Sequence, residues 1–155
     1  MPNWCYNRIE VYADCDASDQ VEQLKEIHDI FENETQPFNK IFPIPDFKTI
    51  PNEKGELPKV EQHKGKDGEV VFETYNFPDG TNDDRWYHWC IDNWGTKWEP
   101  DMADIEYEDS EQLQLTFSTA WSPPEGIVEK LREKYPDLSF SCFYDEPGCQ
   151  VAGYY

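Results

Sequence analysis

The chain has 155 residues, enough for one domain, and 6 Trp, 9 Tyr and 9 Phe compensate for an apolar fraction of only 37% by supplying large buried areas from few positions. Its 33 Asp and Glu against 13 Lys and Arg give a formal net charge of −20, which argues against unaided binding to phosphate backbones, since that affinity comes from clustered cations. A disordered acidic tail is excluded too: the charge is spread along the chain, and the acidic last third carries Phe117, Trp121, Phe140, Phe143, Tyr154 and Tyr155.

Residues 4–12 alternate, with Cys5, Ile9 and Val11 on one face and Arg8 and Glu10 on the other, and read as a half-buried strand. Ser18 or Asp19, with Glu22 three after Asp19, caps a helix over 19–33 whose apolar stripe is Val21, Leu24, Ile27 and Phe31. From Pro37 to Gly80 the pattern is irregular and punctuated by Pro and Gly, which predicts an insertion at about 37–80. Its ends, 38–44 and 70–77, carry aromatics that pack, while 52–67 reads as a mobile loop. A single domain over 1–155 with this insertion is the expected organisation.

Thr81 and Asp84 open an aromatic helix over 83–94, and Gly95 stands where a left-handed C-cap belongs. Residues 104–108 and 112–118 alternate around a turn at Asp109-Ser110, with Ile105, Tyr107, Leu113, Leu115 and Phe117 inward. Ser122-Pro123-Pro124-Glu125 supplies an N-cap, a proline first turn and a glutamate at the third position for a helix over 123–135 that Pro136 ends. Strands at 138–144 and 149–155 flank a turn at 145–148 and form a C-terminal hairpin. The order predicts an α+β fold: a ferredoxin-like antiparallel sheet with helices on one face, plus the Pro/Gly-rich insertion and the C-terminal hairpin.

The five cysteines are odd in number and form no CxxC pair, the amino terminus lacks the basic and apolar regions of a signal peptide, and no stretch approaches 18 apolar residues. A reduced cytoplasmic setting, without membrane contact, is expected.

Four segments, Pro2-Asn3-Trp4-Cys5-Tyr6-Asn7, 38–45 (Phe-Asn-Lys-Ile-Phe-Pro-Ile-Pro), 86–98 (Trp-Tyr-His-Trp-Cys-Ile-Asp-Asn-Trp-Gly-Thr-Lys-Trp) and 117–124 (Phe-Ser-Thr-Ala-Trp-Ser-Pro-Pro), resemble the YubB-type ferredoxin-like family of phage and plasmid proteins. The resemblance spans nearly the whole chain and implies the fold and a mobile-element setting, with no catalytic residues to carry over. Ferredoxin-like names the topology alone, since the spaced cysteines of an iron-sulfur cluster are missing.

No catalytic, cofactor or metal site is predicted. His88 and Cys90, two residues apart on a helix, point to nearly opposite sides, the three histidines lack HxxxH spacing, and no GxSxG, Walker or dinucleotide motif occurs. Two features compete for function. Asp104, Glu106 and Glu108 recur on one strand face about 6.6 Å apart, and Glu125, Glu129 and Glu133 recur at four-residue intervals on a helix, rows that imitate spaced phosphates. With the mobile-element resemblance, they predict a non-enzymatic interaction protein: an acidic nucleic-acid mimic, of anti-CRISPR or anti-restriction type, that blocks a basic, nucleic-acid-binding surface of a host defence protein without itself binding nucleic acid. The alternative is a sequestering module in which Trp86, Trp89, Trp94 and Trp98 stack a nucleotide or other small ligand, although core packing is the commoner role of such a segment and only Arg85 and Lys97 lie near it.

Overall fold

The computed structural model describes residues 2–14 and 16–155, with the side chains of all of these except Met102 and Glu108. In chain order its elements are β1 (Trp4–Tyr12), α1 (Ser18–Asn33), α2 (Pro37–Ile41), a 3-10 turn (Phe47–Thr49), β2 (Lys59–Lys64), β3 (Val70–Asn76), α3 (Arg85–Trp94), β4 (Asp101–Asp109), β5 (Gln112–Ala120), α4 (Glu125–Lys134), β6 (Ser139–Glu146) and β7 (Val151–Tyr154). They divide into two compact units, Met1–Pro43 with Cys90–Tyr155, and Ile44–Trp89, with the boundary inside α3. The segment read as an insertion at about 37–80 is thus split: α2 belongs to the first unit, and 81–89 to the second.

The first unit is ferredoxin-like. Its strands run in the order β4-β5-β1-β6-β7, every neighbouring pair antiparallel, so that β1-α1-β4-β5-α4-β6 is the strand-helix-strand-strand-helix-strand core and β7 lengthens the sheet beyond β6. Alternation along β1 sends Cys5, Asn7, Ile9 and Val11 into the protein, opposite Thr119, Phe117, Leu115 and Leu113 of β5. The helices cover this face: α1 buries Leu24, Ile27 and Phe31, and α4 buries Ile127, Val128 and Leu131. Phe38 of α2, fully buried, meets Phe117 and Trp94 edge-on at 5.7 Å each and Phe31 at 6.5 Å. Such pairs add about 0.5–1.5 kcal/mol each beyond their burial.

Polar groups fix how this layer closes. Glu99 accepts the backbone N–H groups of Phe38 and Asn39 at 2.8 Å each, satisfying the first turn of α2, and Trp94 Nε1 donates to the Phe42 carbonyl at 2.8 Å. Burial raises the Glu99 carboxyl above its ordinary range, against these two N–H bonds. Asn7 donates to Thr119 Oγ1 at 2.9 Å and accepts from the Tyr155 hydroxyl at 3.0 Å, so the chain's last residue is tied to its first strand. The end of α3 crosses the start of α4 backbone to backbone: a Cβ on Gly126 would lie 1.6 Å from the Asn93 carbonyl oxygen. Gly95, at φ +87°, is the expected left-handed cap.

Some sequence expectations are corrected. The N-cap of α1 is Ala17, without a side-chain bond, and its backbone N–H donates to the Asp14 carbonyl. Ser122 does not cap α4, since its hydroxyl donates to the Gly95 carbonyl, and the helix starts at Glu125 after Pro124. The turn between β6 and β7 falls at 147–150 because the buried Glu146 carboxylate accepts the Cys149 N–H.

In the second unit, part of the stretch read as a loop at 52–67 is strand: β2 pairs antiparallel with β3 from Lys59↔Asn76 to Lys64↔Val70. Gly65 and Gly68 close the hairpin, the latter at φ +80°, so two of the glycines that punctuate this stretch make its turn. Arg85 gathers the rest. Its Nε and Nη2 reach the two oxygens of Asp83 at 2.8 and 2.9 Å, and Nη1 and Nη2 donate to the carbonyls of Ile50 and Phe47 at 2.8 Å each. The guanidinium also lies 5.0 Å from the Phe47 ring centre and 5.3 Å from that of Phe77.

Candidate functional site

The sheet face opposite the helices is open. Pairing registers place its side chains in rows across the strands: Asp104-Thr116-Arg8-Phe143-Tyr154, and beside it Ser118-Tyr6-Asp145. A third row is Glu106-Gln114-Glu10-Ser141. Tyr6 is 54% and Tyr154 72% exposed, and a shallow depression of about 370 Å³ lies over Tyr6, Arg8, Phe143 and Asp145. The Arg8 guanidinium is 5.4 Å from the Phe143 ring centre and 3.7 Å from Glu10, and Phe143 meets Tyr154 at 5.3 Å.

The two predicted acidic rows are separated by this architecture. Asp104 and Glu106 are exposed on the open face, because Ile105 and Tyr107 between them turn toward the helices, where Tyr107 stacks on His28 of α1 at 4.7 Å. Glu125, Glu129 and Glu133 are exposed on α4, in the layer on the other side of the sheet. One flat partner surface cannot touch both rows. The Glu108 side chain lies outside the described residues. Acidic residues are nonetheless dense in the first unit, which holds 23 Asp and Glu against 7 Lys and Arg, whereas the second holds 10 against 6.

The four tryptophans separate as well. Trp94 is 1% exposed and belongs to the core of the first unit, Trp89 is partly buried, and Trp98, 37% exposed, has the Lys97 ammonium 4.3 Å from its ring centre. Trp86, expected to pack, is 41% exposed instead. It lines a cavity of about 180 Å³ in the second unit with Phe47, Lys48, Tyr75 and Asp83. There the Tyr75 hydroxyl donates to Glu73 at 2.6 Å, which raises the phenol and lowers the carboxyl from their ordinary values, and Lys48 Nζ sits 5.3 Å from the Tyr75 ring centre.

Three of the thiols do not have the character of nucleophiles. Cys5, Cys90 and Cys142 are buried, and burial pushes each up to about 11. His88 is exposed and 3.6 Å from Asp84, whereas Cys90 is buried. Among the described residues no group of three His, Cys, Asp or Glu side chains could hold a metal ion, and no helix is long and apolar enough to cross a membrane.

The polar tie between Tyr155 and Asn7 and the turn at Glu146 had no sequence signal beyond their residue types. The open-face aromatics did: the same alternation that buries Cys5 and Ile9 exposes Tyr6 and Arg8.

Comparison with known proteins agrees with the fold. Residues 93–155 match the family model described as a ferredoxin-like domain in Api92-like protein. Among solved structures, protein api92 from Yersinia pseudotuberculosis is similar over 99% of this chain and 93% of its own, with a TM-score of 0.52 and 11% identity, a likeness of fold alone. None of the curated proteins matches.

Proposed function

We propose that this chain is a non-enzymatic interaction protein of YubB type, carried by a phage or plasmid, whose acidic first unit occupies a basic, nucleic-acid-binding surface of a host defence protein in the host cytoplasm. The observation that carries this reading is the charge of that unit, 23 acidic against 7 basic residues on a folded sheet-and-helix body. A rigid body keeps its carboxylates in place without the ordering cost a flexible acidic tail meets on binding, so attraction speeds encounter and fixed geometry slows release. Like charges held close in the free protein repel, and a cationic partner relieves that repulsion.

The test is competition. A panel of restriction enzymes and CRISPR effector complexes bound to labelled duplex DNA is titrated with the chain, and at least one should release its DNA, less readily as salt rises. Release from none of them, or binding of plain duplex by the chain itself at about 0.15 M salt, counts against the proposal.

The second reading, small-ligand sequestration, is favoured by one observation: Trp86, Tyr75 and Phe47 line one cavity beside Lys48. At about 180 Å³ it suits a single aromatic ring system better than a whole nucleotide, and Trp94, buried in its own core, takes no part.

A further inference from the structure

We propose that the contact surface is the open face of the five-stranded sheet, and that it takes arginine side chains of a basic protein segment, their guanidinium groups laid on Tyr6, Phe143 and Tyr154. This rests on the interaction-protein reading above and names both the surface and the partner chemistry.

Three observations converge on it. First, the face carries exposed rings: Tyr6 and Tyr154, each more than half exposed, flank the half-buried Phe143, and a shallow depression lies over Tyr6, Arg8, Phe143 and Asp145. Exposed aromatics grouped on a rigid sheet mark an interaction site more strongly than scattered ones. Second, its charge is one-sided. Asp104, Glu106, Glu10 and Asp145 stand on the same face as the rings, against Arg8, the single cation among the described residues of these rows. Base stacking on a sheet needs a cationic track for the phosphates, so this face repels a nucleic-acid strand and attracts a cationic partner. Third, the protein already displays the proposed contact once. Arg8 lies over Phe143 at 5.4 Å with a carboxylate 3.7 Å from its Nε, a guanidinium satisfied by a ring and an acid together. Tyr6 lies next to Asp145 across β1 and β6, so the same pairing of ring and carboxylate recurs one row away.

Arginine fits better than lysine, because a planar guanidinium stacks on a ring while its edge still bonds a carboxylate. Neighbouring strands stand about 4.8 Å apart, so Arg8, Phe143 and Tyr154 span roughly 10 Å, within reach of alternate side chains of one extended segment. The α4 row lies in the helix layer and contributes only long-range attraction.

The experiment titrates octa-arginine into the full chain at about 0.15 M salt by calorimetry, with octa-lysine and a short thymidine oligonucleotide as further probes. Tyr6→Ala with Tyr154→Ala should weaken octa-arginine about tenfold without altering charge, and Tyr6→Phe with Tyr154→Phe should stay within about twofold. Glu125→Gln, Glu129→Gln and Glu133→Gln together should weaken it less than the alanine pair. In the wild-type chain, NMR shifts induced by octa-arginine should centre on β1, β6 and β7, a readout independent of any variant's folding. Shifts centred on α4, an unaffected alanine pair, or octa-lysine bound as tightly as octa-arginine would overturn this surface assignment and leave the acidic-interaction reading standing. Absence of octa-arginine binding, or tight binding of the oligonucleotide, would overturn both.

Discussion

Trp86 and Trp94 belong to one ten-residue helix, yet their surroundings differ completely. Trp94 is enclosed by Phe38 and bonded to the Phe42 carbonyl, whereas Trp86 stands 41% exposed at a cavity edge. Trp94→Ala should therefore cost about 3–5 kcal/mol, from lost transfer, an unfilled cavity and the lost Nε1–H bond, and lower the melting temperature by about 10 °C. Trp86→Ala should cost under about 1 kcal/mol. Thermal unfolding of the two variants by circular dichroism checks both, and equal losses would mean that Trp86 is also a core residue. Helical spacing groups residues by face but does not say what each face meets.

At the scale of elements, the second unit depends on Arg85 more than on its hairpin, because a two-stranded ribbon alone is marginal in water. Asp83 is buried and Arg85 is its charge partner, so Arg85→Ala leaves a carboxylate without compensation and should cost on the order of 3 kcal/mol. Arg85→Lys keeps the charge but not the fork that reaches Ile50, Phe47 and Asp83 together, and should restore only part of the loss. The same pair makes this unit acid-sensitive. Hydrogen bonding from Arg85, opposed by burial, holds the Asp83 carboxyl below its ordinary value. A depressed folded-state value contributes stability that is complete above the unfolded-state value and is lost as pH falls through the folded one. Urea titrations at pH 7 and pH 3, following β3 amides by NMR, should show this loss in the wild type and a flatter pH dependence in Asp83→Asn. An equal pH dependence in the two proteins would remove Asp83 from the account.

For the whole molecule, a net charge of −20 on a folded chain means that self-repulsion outweighs its few exposed ion pairs, such as Lys40–Glu34 and Lys130–Glu133. Raising sodium chloride from about 0.01 to about 0.5 M at pH 7 screens that repulsion and should raise the melting temperature by several degrees. A fall over the same range would show that specific ion pairs dominate instead.

The sequence by itself determined the βαββαβ order and the inward faces of the strands, because both depend on local periodicity: Cys5, Ile9 and Val11, or Leu113, Leu115 and Phe117, cannot share a face any other way once the segment is extended. It also determined the cap at Gly95, where a helix end needs positive φ, and the excess of carboxylates. Tertiary structure alone decided which rows are neighbours. Arg8, Phe143 and Tyr154 are far apart in sequence and meet only because β1, β6 and β7 pair in one register, while Asp104 and Glu129, both legible as acidic rows, end on opposite sides of the sheet. The predicted ferredoxin-like order already put the helices on one sheet face, but the register that sets one side chain beside another is fixed by long-range pairing, which no local pattern encodes. The strand at Lys59–Lys64 was hidden for a related reason: its residues are exposed along their whole length, so β2 has no buried face to give it an apolar period and is held by backbone pairing with β3.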